Sequence, residues 1–120
     1  YGEACIIGGD YNIAPRDNDV HDPKRWAGRI LCSDLERKAF HSLCHLGYQD
    51  AIRLYFDEVG PFTWWDYRAQ AFPTNQGLRI DHLLLSPTAV DYIQACNVDI
   101  HPRSLEKTSD HAPVWCTLNL

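Results

Sequence analysis

The sequence predicts a mixed α/β fold in one domain spanning residues 1–120, and three observations carry that prediction. Apolar runs of strand length are interspersed with stretches of helical period, which is the pattern of helices layered on a sheet. No internal repeat and no Pro-, Gly- or Ser-rich linker divides the chain. An apolar content of 45% supplies one core, as a folded domain requires and a disordered chain lacks.

The elements follow in order. Residues 4–8 are small and β-branched and are bounded by glycines, so they read as a buried strand whose carboxyl end delivers Asp10. In open α/β sheets that end is where ligands bind. Residues 11–31 are rich in Asp, Asn, Pro and Gly without a period and read as a long loop, a kind of segment that is often functional. Ser33 and Glu36 form a capping box, with Leu35, Ala39, Leu43 and Leu46 at helical spacing as the core stripe and Gly47 as the stop. A short helix over 50–56 ends before Gly60-Pro61. Residues 62–67 are aromatic and strand-like, and a polar loop through Asn75-Gln76-Gly77 leads into the strongest strand pattern, 78–85. A helix over 88–95 follows Ser86-Pro87, and strands are expected at 98–100 and 114–118.

Composition excludes several classes. There is no apolar run near the roughly 18 residues of a membrane span and no basic-then-apolar leader, so the expectation is a soluble, cytoplasmic protein without a membrane partner. Five cysteines, an odd number and widely spaced, read as reduced thiols. Cys32, His41, Cys44 and His45 lack the paired spacing of a zinc site. The net charge of -5 argues against a simple polyanion binder. Six of the eleven basic residues (Arg16, Lys24, Arg25, Arg29, Arg37, Lys38) nevertheless crowd one stretch around Trp26. There is no Met, and a strand begins near the first residue, so a missing amino-terminal partner segment is expected.

Four polar side chains have the right types for hydrolysis. Asp10 and Asn12 are two apart, and in extended backbone an acceptor carboxylate and a donor amide then reach one spot; a simple chain-reversing turn is the alternative. Asp81 lies among apolar residues and requires a partner, either an arginine such as Arg79 or a histidine held in one tautomer. His111 is the candidate histidine, and if the backbone is extended its neighbour Asp110 faces the other way and can turn toward a metal. A strand-entry loop is the alternative for Ser109-Asp110-His111. Trp64 and Trp65 divide on a strand into one buried and one outward indole able to stack on a sugar or base. Trp26 and Arg25 are either loop anchors or nucleic-acid contacts.

Taken together, Gly9-Asp10-Tyr11-Asn12-Ile13-Ala14-Pro15, Asp22-Pro23-Lys24-Arg25-Trp26, Thr63-Trp64-Trp65-Asp66-Tyr67-Arg68, Gly77-Leu78-Arg79-Ile80-Asp81 and Ser109-Asp110-His111-Ala112-Pro113 resemble the carboxyl-terminal half of the exonuclease III family. These are the apurinic/apyrimidinic endonucleases of the endonuclease/exonuclease/phosphatase superfamily. The resemblance implies one half of a four-layer αββα sandwich, with a metal-binding Glu, a first Asn and an active-site Tyr lying in a portion this chain does not contain. It implies that Asp10 orients or deprotonates the attacking water, Asn12 holds the phosphate, and His111 contacts the scissile phosphate with Asp81 as its partner. Asp110 matches a metal ligand, with Asp10 and Asn12 also assigned to metal, and Trp64 matches the wall that receives a flipped-out abasic sugar. The implied activity is a Mg²⁺- or Mn²⁺-dependent DNA-repair phosphodiesterase acting on double-stranded DNA with abasic sites or 3′ ends. The alternatives are a phosphoinositide phosphatase, sphingomyelinase or RNA deadenylase of the same superfamily, or a catalytically silent half-domain that self-associates.

Overall fold

In a computed structural model of the chain, which describes residues 3–68, 70–105 and 109–119, strands and helices alternate as the mixed class requires. The order is β1 (Ile6–Asp10), α1 (Pro23–Trp26), α2 (Asp34–His45), β2 (Gln49–Asp50), α3 (Ala51–Tyr55), β3 (Asp81–Leu85), α4 (Pro87–Tyr92), β4 (Ile93–Val98) and β5 (Val114–Leu118). Single 3₁₀ turns lie at Asp17–Asp19 and Pro102–Ser104. The strands form two antiparallel sheets, β1-β3-β2 and β4-β5.

Register places the site. β1 pairs with β3 so that Ile6 faces Leu85 and Asp10 faces Asp81. Residues opposite one another on antiparallel strands put their side chains on the same face, which sets those two carboxylates together. Trp64 then joins the segments that lead into β3 and β5, bridging Leu78 on one side and His111 on the other. Ala112 N donates to Thr63 O (2.7 Å) and Trp65 N to Asp110 O (3.1 Å), so the lead-in to β5 is tied beside the start of β3. Gly77 permits this close packing: a Cβ there would lie 2.6 Å from Trp65 Nε1 and 2.7 Å from Phe62 Cβ.

Local signals hold where they are strongest. Ser33 Oγ accepts from Glu36 N (3.2 Å) while the Glu36 carboxylate accepts from Ser33 N and its hydroxyl, closing the expected capping box on α2. Gly47 ends that helix with a φ of 108°. Ser86 caps α4, whose Pro87 occupies its first turn. The main core gathers Ile52, Phe62, Trp65, Leu85, Ala89, Cys96 and Ala112, and a smaller one gathers Ala14, Val20, Cys32, Leu78 and Ile80.

Four expectations are corrected. β1 is exposed along its whole length, with Ile6 and Ile7 at 39% and 37%, because it is an edge strand paired only with β3 among the described residues. The expected stripe on α2 is rotated: Leu35 and Leu46 are exposed and Phe40 is buried. The inward face must carry Phe40 against Tyr11 and His82 and bring Arg37 Nε to Ala14 O (2.9 Å). Residues 62–67 are a joint and not a strand, since Thr63 N and Trp64 N both donate to Leu78 O. Finally, β4 begins at Ile93 and ends at Val98, displacing both the tail of the expected helix and the expected strand at 98–100.

All five cysteines are free thiols. Burial pushes the Cys96 thiol up to about 11, which keeps it protonated and unreactive. Among the described residues no helix is long and apolar enough to cross a membrane.

Candidate active site

At the end of β1 the chain reverses at once. Asp10 Oδ1 accepts from Asn12 N (2.9 Å), and Asn12 takes a φ of 54°, a left-handed conformation that Asn tolerates better than most residues. The turn considered as the alternative is therefore present, and Asn12 does not share an extended strand with Asp10. The bond leaves Asp10 Oδ2 free, 3.7 Å from His111 Nε2, while the Asn12 side chain is exposed.

His111 is the centre of the group. Its Nδ1 lies 2.8 Å from Asp81 Oδ2, and since a carboxylate only accepts, Nδ1 carries the proton. Nε2 points to Asp10 and also lies 3.8 Å from Asp110 Oδ1. Asp110 and His111 therefore do not face opposite ways, because the backbone bends at Asp110 instead of running extended. Trp64 Nε1 donates to the other Asp110 oxygen (2.9 Å). Asp81 is paired with histidine and not with Arg79.

Thr63 supports this pair, a role that sequence reading missed. Its Oγ1 accepts from Ile80 N (3.0 Å) and Asp81 N (3.1 Å), which leaves its hydroxyl proton for the Asp81 carboxylate. Burial raises the Asp81 pKa, and the bonds from His111 and Thr63 offset only part of that. For His111, burial pulls the pKa down, but the bond to Asp81 and the charges of Asp81, Asp10 and Asp110 outweigh it and raise the net value. The arrangement is an imidazole fixed at Nδ1 by Asp81, with its Nε2 facing Asp10 and Asp110 in an open cleft.

A divalent cation fits these residues. Asp10, Asp81 and His111 each offer a ligand atom within 4.8 Å of the others, and Asp110 adds a nearby oxygen. Carboxylate oxygens suit a hard cation such as Mg²⁺. Cys32, His41, Cys44 and His45 do not form such a group among the described residues.

Behind the site lies a buried charge network with no motif to announce it. Arg79, fully buried, donates from Nε to Asp19 (2.6 Å) and in bidentate fashion to Asp50. Arg53 also donates to Asp19. Arg79 Nη1 further donates to His82 Nδ1 (3.1 Å), and His82 Nε2 donates to Ile13 O (2.7 Å). Arginine has only donors and a carbonyl only accepts, so both partners require the neutral Nε2–H tautomer of His82.

Burial and the Arg79 charge push the His82 pKa down to about 4, against an ordinary value of 6.5. Between these values the unfolded chain binds a proton that the fold refuses. The stabilisation is full above pH 6.5, falls as pH drops toward 4, and changes no further below it. At about 1.4 kcal/mol per unit the loss is about 3 kcal/mol. Urea melts of wild type and His82→Leu at pH 7 and 4.5 measure it: the variant should lose less stability on acidification, and an identical loss in both would disprove this assignment.

The three residues expected to contact nucleic acid converge. Trp64, half-buried, lines a small cleft together with Trp26 and Arg25, and His21 and Arg68 complete its rim. Trp65 is the buried member of the indole pair. Trp26 also packs against the smaller core, so it is a loop anchor as well.

Comparison with known proteins agrees with this architecture. Residues 2–111 match the model of the Endonuclease/Exonuclease/phosphatase family. Exodeoxyribonuclease III of Haemophilus influenzae is 38% identical over 117 residues, which cover 92% of this chain and 44% of that protein. The 3′ phosphatase NExo from Neisseria, solved bound to a product DNA hairpin, superposes with a TM-score of 0.93 at 42% identity, over 96% of this chain and 45% of that one. An AP endonuclease from Archaeoglobus fulgidus gives 0.91 at 32% identity, over 98% and 46%. The chain thus spans just under half the length of these relatives and adopts that share of their fold.

Proposed function

The chain belongs to the endonuclease/exonuclease/phosphatase family, and on that premise we propose that residues 1–120 are the carboxyl-terminal half of the catalytic domain of a DNA-repair phosphodiesterase. Its substrate is double-stranded DNA carrying an abasic site or a 3′ end to be trimmed. The observation that carries the reading is His111 Nε2, aimed between Asp10 and Asp110 with its Nδ1 fixed by Asp81.

Each residue has a task in that reaction. Asp10 Oδ2, not engaged by the turn, orients and deprotonates the attacking water. His111 donates from Nε2 to a phosphate oxygen on which charge develops, and the Asn12 amide donates to another. Asp81 holds the imidazole in its tautomer and stabilises the imidazolium. Mg²⁺, or Mn²⁺ in its place, would be held by Asp10 and Asp110 with Asn12 nearby, and when bound supplies Lewis-acid stabilisation of that charge. The Trp64, Trp26 and Arg25 cleft receives the DNA beside the reacting phosphate. The exposed β1 edge is where the amino-terminal half of the same domain packs, and the 120-residue segment alone self-associates there. We place the activity in the cytoplasm.

The test uses the full-length protein on a duplex with one abasic site and, separately, on phosphoinositide vesicles. Nicking of the duplex, abolished by a chelator and restored by Mg²⁺, is the expected result. Hydrolysis of phosphoinositide with the duplex left intact would assign the site to another branch of the superfamily.

A further inference from the structure

The turn that carries Asn12 is held from behind by an unusual strut. Tyr11 N donates to Ile80 O (3.0 Å) on its upstream side, and Ala14 N to Leu31 O (2.8 Å) downstream. Between them, Ile13 O, the carbonyl of the residue that follows Asn12, takes the His82 Nε2 proton at 2.7 Å. His82 is fully buried, gripped by the Tyr11 ring at 5.4 Å and the Phe40 ring at 4.9 Å, and its other nitrogen is locked by Arg79. Arg79 is in turn anchored to Asp19 and Asp50, so the strut is braced against the loop and against the residue that precedes α3. Asn12 itself is held upstream by its N–H on Asp10 Oδ1, and with a left-handed φ the position of its exposed side chain depends on the turn being held on both sides.

We infer that His82 is a positioning residue for Asn12: through the Ile13 carbonyl it sets the turn that aims the Asn12 amide at the substrate phosphate. The inference rests on the phosphodiesterase reading for the role of Asn12, but the strut itself does not. A leucine at this position has no donor for the carbonyl. His82 therefore contributes geometry through a neighbour and does not touch the reacting atoms.

A double-mutant cycle on the full-length protein tests it. His82→Leu should lower kcat on abasic duplex about tenfold to a hundredfold with little change in KM, as expected for a misplaced group. In an Asn12→Ala background the same change should cost less than about twofold, because the residue it positions is gone. Equal losses in both backgrounds, or no loss in either, would overturn the inference. If His82→Leu does not fold, His82→Gln and His82→Asn decide: glutamine reaches Ile13 O and should retain most activity, asparagine falls short, and equal activities refute the strut. If wild type does not cleave DNA, the phosphodiesterase reading fails by itself. The strut is then judged by NMR, where a slowly exchanging His82 Nε2 proton and an Asn12 amide signal displaced in His82→Asn but held near its wild-type position in His82→Gln are expected, and an Asn12 signal unmoved in His82→Asn rejects it.

Discussion

His111→Ala in the full-length protein lowers abasic-site cleavage by about 10²- to 10⁴-fold, the usual worth of a group that transfers or donates a proton in the transition state. The geometry says why the loss is large and why it is catalytic. Nδ1 is held by Asp81 while Nε2 faces Asp10 and Asp110, so alanine removes the one imidazole placed between those two carboxylates, where the phosphate would be contacted. Asp81 keeps its Thr63 contact, and His111 is about one-third exposed, so the fold survives the change. Asp10→Asn is the companion: an asparagine oxygen still accepts from Asn12 N and preserves the turn, while the charge that activates water is gone. Single-turnover assays on an abasic duplex measure both. A loss below tenfold for either removes that residue from the mechanism.

Arg79→Met costs about 3–5 kcal/mol of folding stability, the effect of stripping the shared cation from buried carboxylates. Arg79 and Asp19 are completely inaccessible and the Asp50 side chain is 11% exposed, so solvent cannot replace the lost partner. Asp19 retains Arg53, but Asp50 loses its bidentate pairing, which holds its carboxyl below the usual range against the opposing effect of burial. Arg79→Lys recovers little, because one ammonium cannot serve two carboxylates and the His82 nitrogen together. Urea unfolding at pH 7 should show a lower midpoint with an unchanged slope. A loss under about 1 kcal/mol would mean that the network is dispensable.

Much of this was legible residue by residue. The capping box of Ser33 and Glu36 and the Ser86-Pro87 start depend only on neighbours in the chain, and both formed as expected. Asp10, Asp81 and His111 were marked by residue type and setting, and their convergence followed from one strand register and one bridge. The inward face of α2 was misread because aliphatic spacing says nothing of a Phe40 and an Arg37 that must meet the loop after β1. β1 reads as buried from sequence because a short apolar run looks the same in the centre of a sheet and at its edge, where this one lies.

By itself the sequence determined the fold class, the starts of α2 and α4 and the residue types that gather in the candidate site, since these rest on backbone preference and side-chain chemistry over a few positions. Tertiary structure alone decided which acid meets which base: that Asp81 takes His111, that Arg79 goes to Asp19 and Asp50, and that His82 reaches Ile13. Those partners lie up to 69 residues apart. Their pairing depends on how loops close over a shared core, where an unpaired charge or carbonyl is costly enough that only one set of matches survives.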